Sequence, residues 1–356
     1  MNAIPPIILM PLSALYGTLM RARSALYQTG ALRTHAVNVP VISVGNLTTG
    51  GTGKTPLVEW LARACAGEGA RTCVLTRGYK RANPKRRVLV SDGENLFADA
   101  REAGDEPRLL AENLLGMASV VCDADRVAAA RWALTNLRTE VFVLDDGFQH
   151  ERLKRDLDIL TIDATNAWGG NPASLLPRGR LREPLSAMRR ADLIVMTRTE
   201  QARHLQTLRT QIGNLSGGLS IIAAQTRTKY MSALANSLHQ RDTHIEDLPQ
   251  LLAAFCAIGN PQSFFDHLRR EQINLTYTRA FADHYAYTQA DIDSFTREAQ
   301  KWGARGFLTT AKDAVKLRSL RFDLPCYFVA IELAFDDEAT LRRKVRETLK
   351  PYTIRA

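Results

Sequence analysis

An α/β fold is what this sequence of 356 residues predicts: a mostly parallel sheet with covered faces, then a second, smaller α/β domain. Three observations predict it. Short apolar, β-branched runs alternate with helical stretches from residue 41 to residue 224, the order of parallel strands joined by crossover helices. The first run, Val41-Ile42-Ser43-Val44, breaks into the glycine cluster Gly50-Gly51-Thr52-Gly53 and then into a helical pattern. Around residues 225–245 the chain turns polar and weakly periodic before new strands and helices begin, which reads as a linker. The expected organisation is an apolar helix within 1–30, a larger domain over 31–228, a linker over 229–250 and a smaller domain over 251–356.

Residues 3–20 carry no charge, and Arg21 and Arg23 follow at once. Pro5, Pro6 and Pro11 prevent one uninterrupted spanning helix. Pro11 suits the first turn of a helix running to about Gln28, with Gly30 as its stop. Leu12, Leu15, Leu19 and Leu26 share one face, with Tyr16, Met20 and Tyr27 close by. An apolar stripe beside arginines is the pattern of a helix lying in a membrane interface; packing on the chain's own domain is the alternative. No charged stretch precedes the run, so a cleaved secretory signal fits poorly.

Next comes the stretch from Val41 to Leu57. A buried strand, a glycine-rich turn and a helix opening on Lys54-Thr55 form the context of a phosphate-binding loop, and so a P-loop NTPase-type domain. Glycines let backbone N–H groups curl round phosphate oxygens without a Cβ in the way. Thr48, Thr49, Gly50, Gly51, Thr52, Gly53, Lys54 and Thr55 are therefore expected to hold ATP, with Lys54 on the β/γ-phosphates and the Thr55 hydroxyl on Mg²⁺. Thr48 replaces the first glycine of the full pattern. Thr49 stands where partitioning-type ATPases carry a second lysine, so a lysine acting across a dimer is not expected.

The rest follows in order. A helix from Pro56 to about Gly67 ends in Gly67-Glu68-Gly69. Strand Thr72–Thr76 leads into Arg77-Gly78-Tyr79-Lys80, and Val88–Val90 reads as a short ribbon. A helix from Pro107, strand Ala118–Cys122, a helix from Asp125 and strand Val141–Leu144 come next. Further strands are expected at Leu157–Ile162, Leu193–Met196 and Ser220–Ala224, and in the smaller domain at Leu252–Ile258, Phe307–Thr309 and Cys326–Ile331. Ligands of such sheets bind at the carboxyl ends of the strands.

The chemistry-bearing residues fall at those ends. Strand Val141–Leu144 terminates in Asp145-Asp146-Gly147-Phe148-Gln149-His150, and a carboxylate at the sheet edge opposite a phosphate loop suits Mg²⁺. Asp145 is the better ligand, with Asp146 orienting water or a neighbour, and Gln149 and His150 suit a substrate or a place behind the ligands, supporting them. Gly104-Asp105-Glu106-Pro107 opens a helix, where acids complement the dipole. The sharper reading is a carboxylate that orients a sugar hydroxyl and accepts its proton. His284, after Asp283, reads as a structural histidine or, if the domains close over a cleft, as an acid–base partner of Asp105. Lys312-Asp313 reads equally as a helix cap or as a pair facing the nucleotide. The loop Leu176-Pro177-Arg178-Gly179-Arg180-Leu181-Arg182 suits phosphate capture or a solvated surface.

Composition narrows the partners. Lys+Arg of 47 against Asp+Glu of 37 gives a net charge of +10 and points to an acidic partner. Without basic–aromatic interleaving or a helix-turn-helix signature, nucleic acid is not expected. Five scattered cysteines without a C-x-x-C look like buried apolar residues in a reducing compartment. The histidines form no zinc-ligand spacing.

VGNLTTGGTGKTP, TRGYKR, AGDEP, CDADRVAAA, LDDGFQH, LREP, FADHYAY and AKDAVK occur in this order, and together they resemble the tetraacyldisaccharide 4′-kinase family. The resemblance implies an enzyme on the cytoplasmic face of the bacterial inner membrane. It would use ATP and Mg²⁺ to phosphorylate the 4′-hydroxyl of an acylated disaccharide 1-phosphate lipid. Asp105 would be the catalytic base with His284 as its partner, beside Lys54. Glu106, Asp145, Asp146 and Thr55 would surround the metal. Arg77, Arg126, Gln149, His150 and Arg182 would meet the anionic substrate. A soluble P-loop metabolic kinase or ligase, or a partitioning-type nucleotide switch, are the alternatives.

Overall fold

The computed structural model describes residues 9–170, 173–234 and 242–353. Pro5 and Pro6 of the apolar segment and residues 235–241 of the expected linker lie outside the described residues. Helix α1 spans Met10–Gln28, with Pro11 in its first turn. The first half then runs β1 (Val41–Gly45), α2 (Lys54–Gly67), β2 (Thr72–Thr76), β3 (Val88–Ser91), α3 (Ala100–Ala103), α4 (Asp105–Asn113), β4 (Ala118–Cys122), α5 (Arg126–Asn136), β5 (Val141–Asp145), β6 (Leu157–Asp163), β7 (Leu193–Thr197) and α6 (Leu205–Ser216). The second runs β8 (Ile221–Ala233), β9 (Asp242–Thr243), β10 (Leu252–Cys256), α7 (Pro261–Arg270), β11 (Leu275–Ala280), α8 (Gln289–Lys301), β12 (Gly306–Thr310), α9 (Ala311–Leu317), β13 (Cys326–Phe335) and α10 (Glu338–Thr353).

The strands lie side by side in the order β3-β4-β2-β5-β1-β6-β7-β8-β13-β12-β10-β11. From β4 to β8 neighbours are parallel, as they are from β13 to β11, while β8 and β13 pair antiparallel. This junction positions the site. β7 pairs only with Ile221, Ile222 and Ala223 at the start of β8, and β12 pairs with Cys326 to Val329 at the start of β13. Those two starts lie at opposite ends of the ribbon, since Tyr327 faces Ala233 and Phe335 faces Ala224. Each parallel set therefore points its carboxyl edge toward the middle of the ribbon, and the two edges meet over one crevice.

The expected linker over 229–250 is thus corrected at its start, because β8 continues through it to Ala233. One face of that strand is exposed, which is why its sequence looked polar and irregular. A second difference concerns α10, expected with the smaller domain. Its Leu341, Val345 and Leu349 pack with Leu57, Leu61 and Ile159 in the core of the larger one. Strand β1 is buried on both faces, its Ile42 and Val44 lying in that core while Val41 packs with Val127 and Ala130 of α5. The second set of strands has its own core, where Phe255, Phe295 and Phe307 interlock. All the cysteines are free and buried.

Candidate active site

The phosphate loop leaves β1 at Gly45, where a Cβ would fall 2.5 Å from that of Phe148, so only glycine lets the DDGF turn pack there. It re-enters helix at Gly53, whose φ of 75° is left-handed and caps α2. Neighbouring elements hold the loop by its carbonyls: Thr197 donates to Thr52 O at 2.8 Å, Arg198 to Gly51 O at 2.8 Å, and Asn46 to Thr48 O at 2.8 Å. Tying these carbonyls suits a cradle whose N–H groups receive an anion. The basic loop straps its outer side, with Thr49 N donating to Arg180 O at 2.7 Å and Arg182 N to Leu47 O at 2.6 Å.

Lys54 Nζ sits 3.1 Å from Asn46 Oδ1 and 3.4 Å from Asp146 Oδ1. Arg182 takes the same carboxylate in a two-pronged grip, 2.8 Å to each oxygen, and also donates to Asn46. Burial alone would raise the Asp146 carboxyl, but Lys54 and Arg182 outweigh it and hold it far below the carboxylate range. Asp145 differs. It accepts from the Thr76 hydroxyl at 3.0 Å, and burial, then Glu106 and Asp146, push it up to about 6 against the pull of Lys54.

That crowding sets a pH dependence. If Asp145 ligates the cation that accompanies the nucleotide, the proton it takes up as pH falls through about 6 competes with that cation. Cation-supported nucleotide affinity is expected to be flat above pH 7 and to drop on the order of tenfold per pH unit below 6. Titration calorimetry across pH 5–8 measures it; a flat profile contradicts the account.

Across the crevice, Asp105 accepts from His284 Nδ1 at 2.8 and 3.0 Å. Asp105 is buried, and burial opposes its charge, but the His284 hydrogen bond, Lys312 and Lys316 together depress its carboxyl well below the ordinary range. His284 is held by its own left-handed φ of 60°, by its N–H on Ala257 O at 3.2 Å, and by the Tyr79 ring 5.3 Å away. Lys312 and Asp313 divide the two readings of that pair. Asp313 is buried and accepts from Ala257 N at 3.0 Å and the Thr310 hydroxyl at 2.7 Å, tying α9 to the loop after β10. Lys312 faces the site, 2.8 Å from Glu106.

The remaining expected residues are placed unevenly. Arg77 stands exposed after β2. Arg126, expected at the substrate, is instead buried and donates to the carbonyls of Asp123 at 3.1 Å and Asp145 at 3.4 Å, supporting the acidic turn from beneath. Arg182 is spent on Asp146 and Asn46. Gln149 donates to Asn46 O at 3.0 Å, and burial, with Arg126 next, pushes His150 down to about 4. Sequence reasoning gave no role to two residues: Asn46, and Lys316, 3.5 Å from Asp105. The signal for Lys316 was present, four residues after Lys312 on one helix face.

Among the described residues no ready-made cluster of three metal-ligating side chains exists. Magnesium does not require one, because it keeps waters and takes one or two carboxylates with phosphate oxygens. A carboxyl pushed up by two neighbouring acids beside a phosphate loop is a donor set that fits such an ion.

A crevice of this build, on a parallel sheet with a lysine-bearing glycine loop, defines a P-loop phosphotransferase. The chain belongs to the tetraacyldisaccharide 4′-kinase family: the family model Tetraacyldisaccharide-1-P 4′-kinase matches residues 6–350. Among curated relatives, the tetraacyldisaccharide 4′-kinase of Desulfotalea psychrophila is 36% identical over 89% of this chain and 89% of its own length. That of Geobacter sulfurreducens is 38% identical over 95% of this chain and 92% of its own. The solved structure of LpxK from Aquifex aeolicus in complex with ATP aligns with a TM-score of 0.76 and 32% identity, covering 97% of this chain and all of that one.

Proposed function

We propose that this chain transfers the γ-phosphate of ATP, with Mg²⁺, to the 4′-hydroxyl of a tetraacyldisaccharide 1-phosphate lipid. The observation that carries the reading is the Asp105–His284 contact at 2.8 Å, which brings a carboxylate of the first domain and an imidazole of the second into one crevice with Glu106 and Asp145. A sugar hydroxyl is a poor nucleophile until a carboxylate orients it and accepts its proton. Asp105 does this, and His284, whose Nδ1–H already donates to its oxygens, holds the carboxylate in place. Lys54 and the loop N–H groups hold the triphosphate in line. Asp145, Asp146, Glu106 and Thr55 would hold the magnesium, which supplies charge neutralisation on the phosphates. Labelled ATP incubated with the lipid tests the reading: a bisphosphorylated lipid is expected, and hydrolysis alone would overturn it.

We also propose that α1 lies on the inner membrane's cytoplasmic face. No described helix is long and apolar enough to cross a membrane. α1 docks by its polar side instead: Ser13 donates to Leu175 O at 2.8 Å, Tyr16 to Arg182 O at 2.9 Å, and Arg23 to Gln149 O at 2.7 Å. Its leucines point outward, Leu12 53%, Leu15 58% and Leu19 56% exposed, the reverse of a helix that packs its apolar side inward. Replacing these three leucines with glutamine is expected to weaken binding to anionic vesicles by about tenfold per residue, while ATP affinity stays unchanged. Vesicle co-sedimentation checks it; unchanged sedimentation contradicts the membrane placement.

A further inference from the structure

Helix α9 brings into the crevice a charge that the transfer chemistry above leaves without a task. Lys312 Nζ lies 2.8 Å from Glu106 Oε1, 3.6 Å from Asp283 Oδ1 and 4.0 Å from Asp105 Oδ2. Its side chain is 15% exposed, so carboxylates stand where most of the water around an ammonium would be. Burial opposes the charge, but Glu106 foremost, then Asp105 and Asp283, hold the ammonium above the ordinary lysine value. Lys316, one turn further on, is engaged differently, 2.9 Å from Asp313 on its own helix. Lys312 alone of the two reaches Glu106 across the domain boundary. Glu106 in turn lies close enough to Asp145 to push its carboxyl up. A carboxylate in contact with an ammonium cannot also accept a divalent cation without bringing two like charges together.

We propose that Lys312 is a resident counter-ion: it holds Glu106 in the ligand-free chain, and gives it up to the divalent cation to pair with the transferred phosphate. The inference rests on the reading of Glu106 as a cation ligand. The lysine stays tethered by α9 and within reach of Asp283 and Asp105, so once displaced it remains in the crevice, where the incoming anion is the phosphate.

A lysine that merely braces the domains and a lysine that competes with the metal differ in the sign of one effect. Mn²⁺ is the probe, with free ion counted by electron paramagnetic resonance on the full chain without nucleotide. Lys312→Met is expected to bind Mn²⁺ about tenfold more tightly, because the competitor is gone, while kcat falls by at least about tenfold. Lys312→Arg, which keeps the charge, is expected to bind Mn²⁺ as the parent does. It supplies the second variant if the methionine form does not fold. Glu106→Gln is expected to weaken Mn²⁺ binding in either background. Unchanged or weaker Mn²⁺ affinity in Lys312→Met, or tighter affinity in Lys312→Arg, overturns the counter-ion role while leaving Glu106 as a ligand. Mn²⁺ affinity untouched by Glu106→Gln overturns the ligand reading and the inference with it.

Discussion

Asp105→Asn is expected to lower lipid phosphorylation by about 10²- to 10⁴-fold while ATP affinity stays within about twofold, the range that a positioned general base supplies. The separation of effects follows from where Asp105 sits. It opens α4, buried against His284 and Lys316, and no bond joins it to the phosphate loop. Its carboxyl is depressed by those partners, so it is a weak base in the ground state. That suits phosphoryl transfer, in which the hydroxyl proton leaves late and orientation counts for more than basicity. Asparagine keeps the shape and one acceptor but cannot take the proton. Initial rates with labelled ATP and isothermal titration of the nucleotide measure the two quantities. Near-parental turnover would remove Asp105 from the base role.

Lys54→Met is the second large effect, expected at about 10²- to 10³-fold in turnover and with a clear loss of ATP affinity. Methionine fills the space of the stem without the charge. Two consequences follow from the contacts. The phosphates lose the ammonium that the loop presents, and Asp145 loses the cation that partly offsets Glu106 and Asp146. Asp146 keeps Arg182 and so stays in place. The variant should therefore fold, with a melting temperature near the parent's, yet bind nucleotide more weakly. Turnover, ATP affinity and thermal unfolding together check this. An unfolded variant would assign Lys54 a structural role instead.

Much of this was legible in the residues because it is local. A run such as Thr72–Thr76 or Ala118–Cys122 is made mostly of small, β-branched or apolar residues and is buried throughout, since a parallel strand is covered on both faces, and its limits coincide with the strands found. The glycine loop was legible because its spacing is fixed by chain geometry between strand and helix. α4 began two residues before its expected proline, because the preceding Gly104, at φ 98°, sets the turn. What the residues do not display is long-range. Asp105 and His284 are 179 positions apart, and only the antiparallel β8–β13 ribbon brings their sheets edge to edge. The polar face of β8 disguised a strand as a linker. Arg126 was expected at the substrate, although the fold buries it under Asp145.

The direction of α1 belongs to the same group. Its leucine stripe was visible, but a stripe says only that one face is apolar. Ser13, Tyr16 and Arg23 on the docked side settle that the leucines face away from the protein.

The central claim is that two domains each contribute one member of a working pair, Asp105 and His284, and turnover in a double-mutant cycle tests it most directly. Asp105→Asn, His284→Ala and the double variant are compared with the parent under saturating ATP. The account predicts that the double variant is no slower than Asp105→Asn alone, because the imidazole acts only through the carboxylate. Losses that multiply would contradict it, and would mean that the two side chains touch without working together.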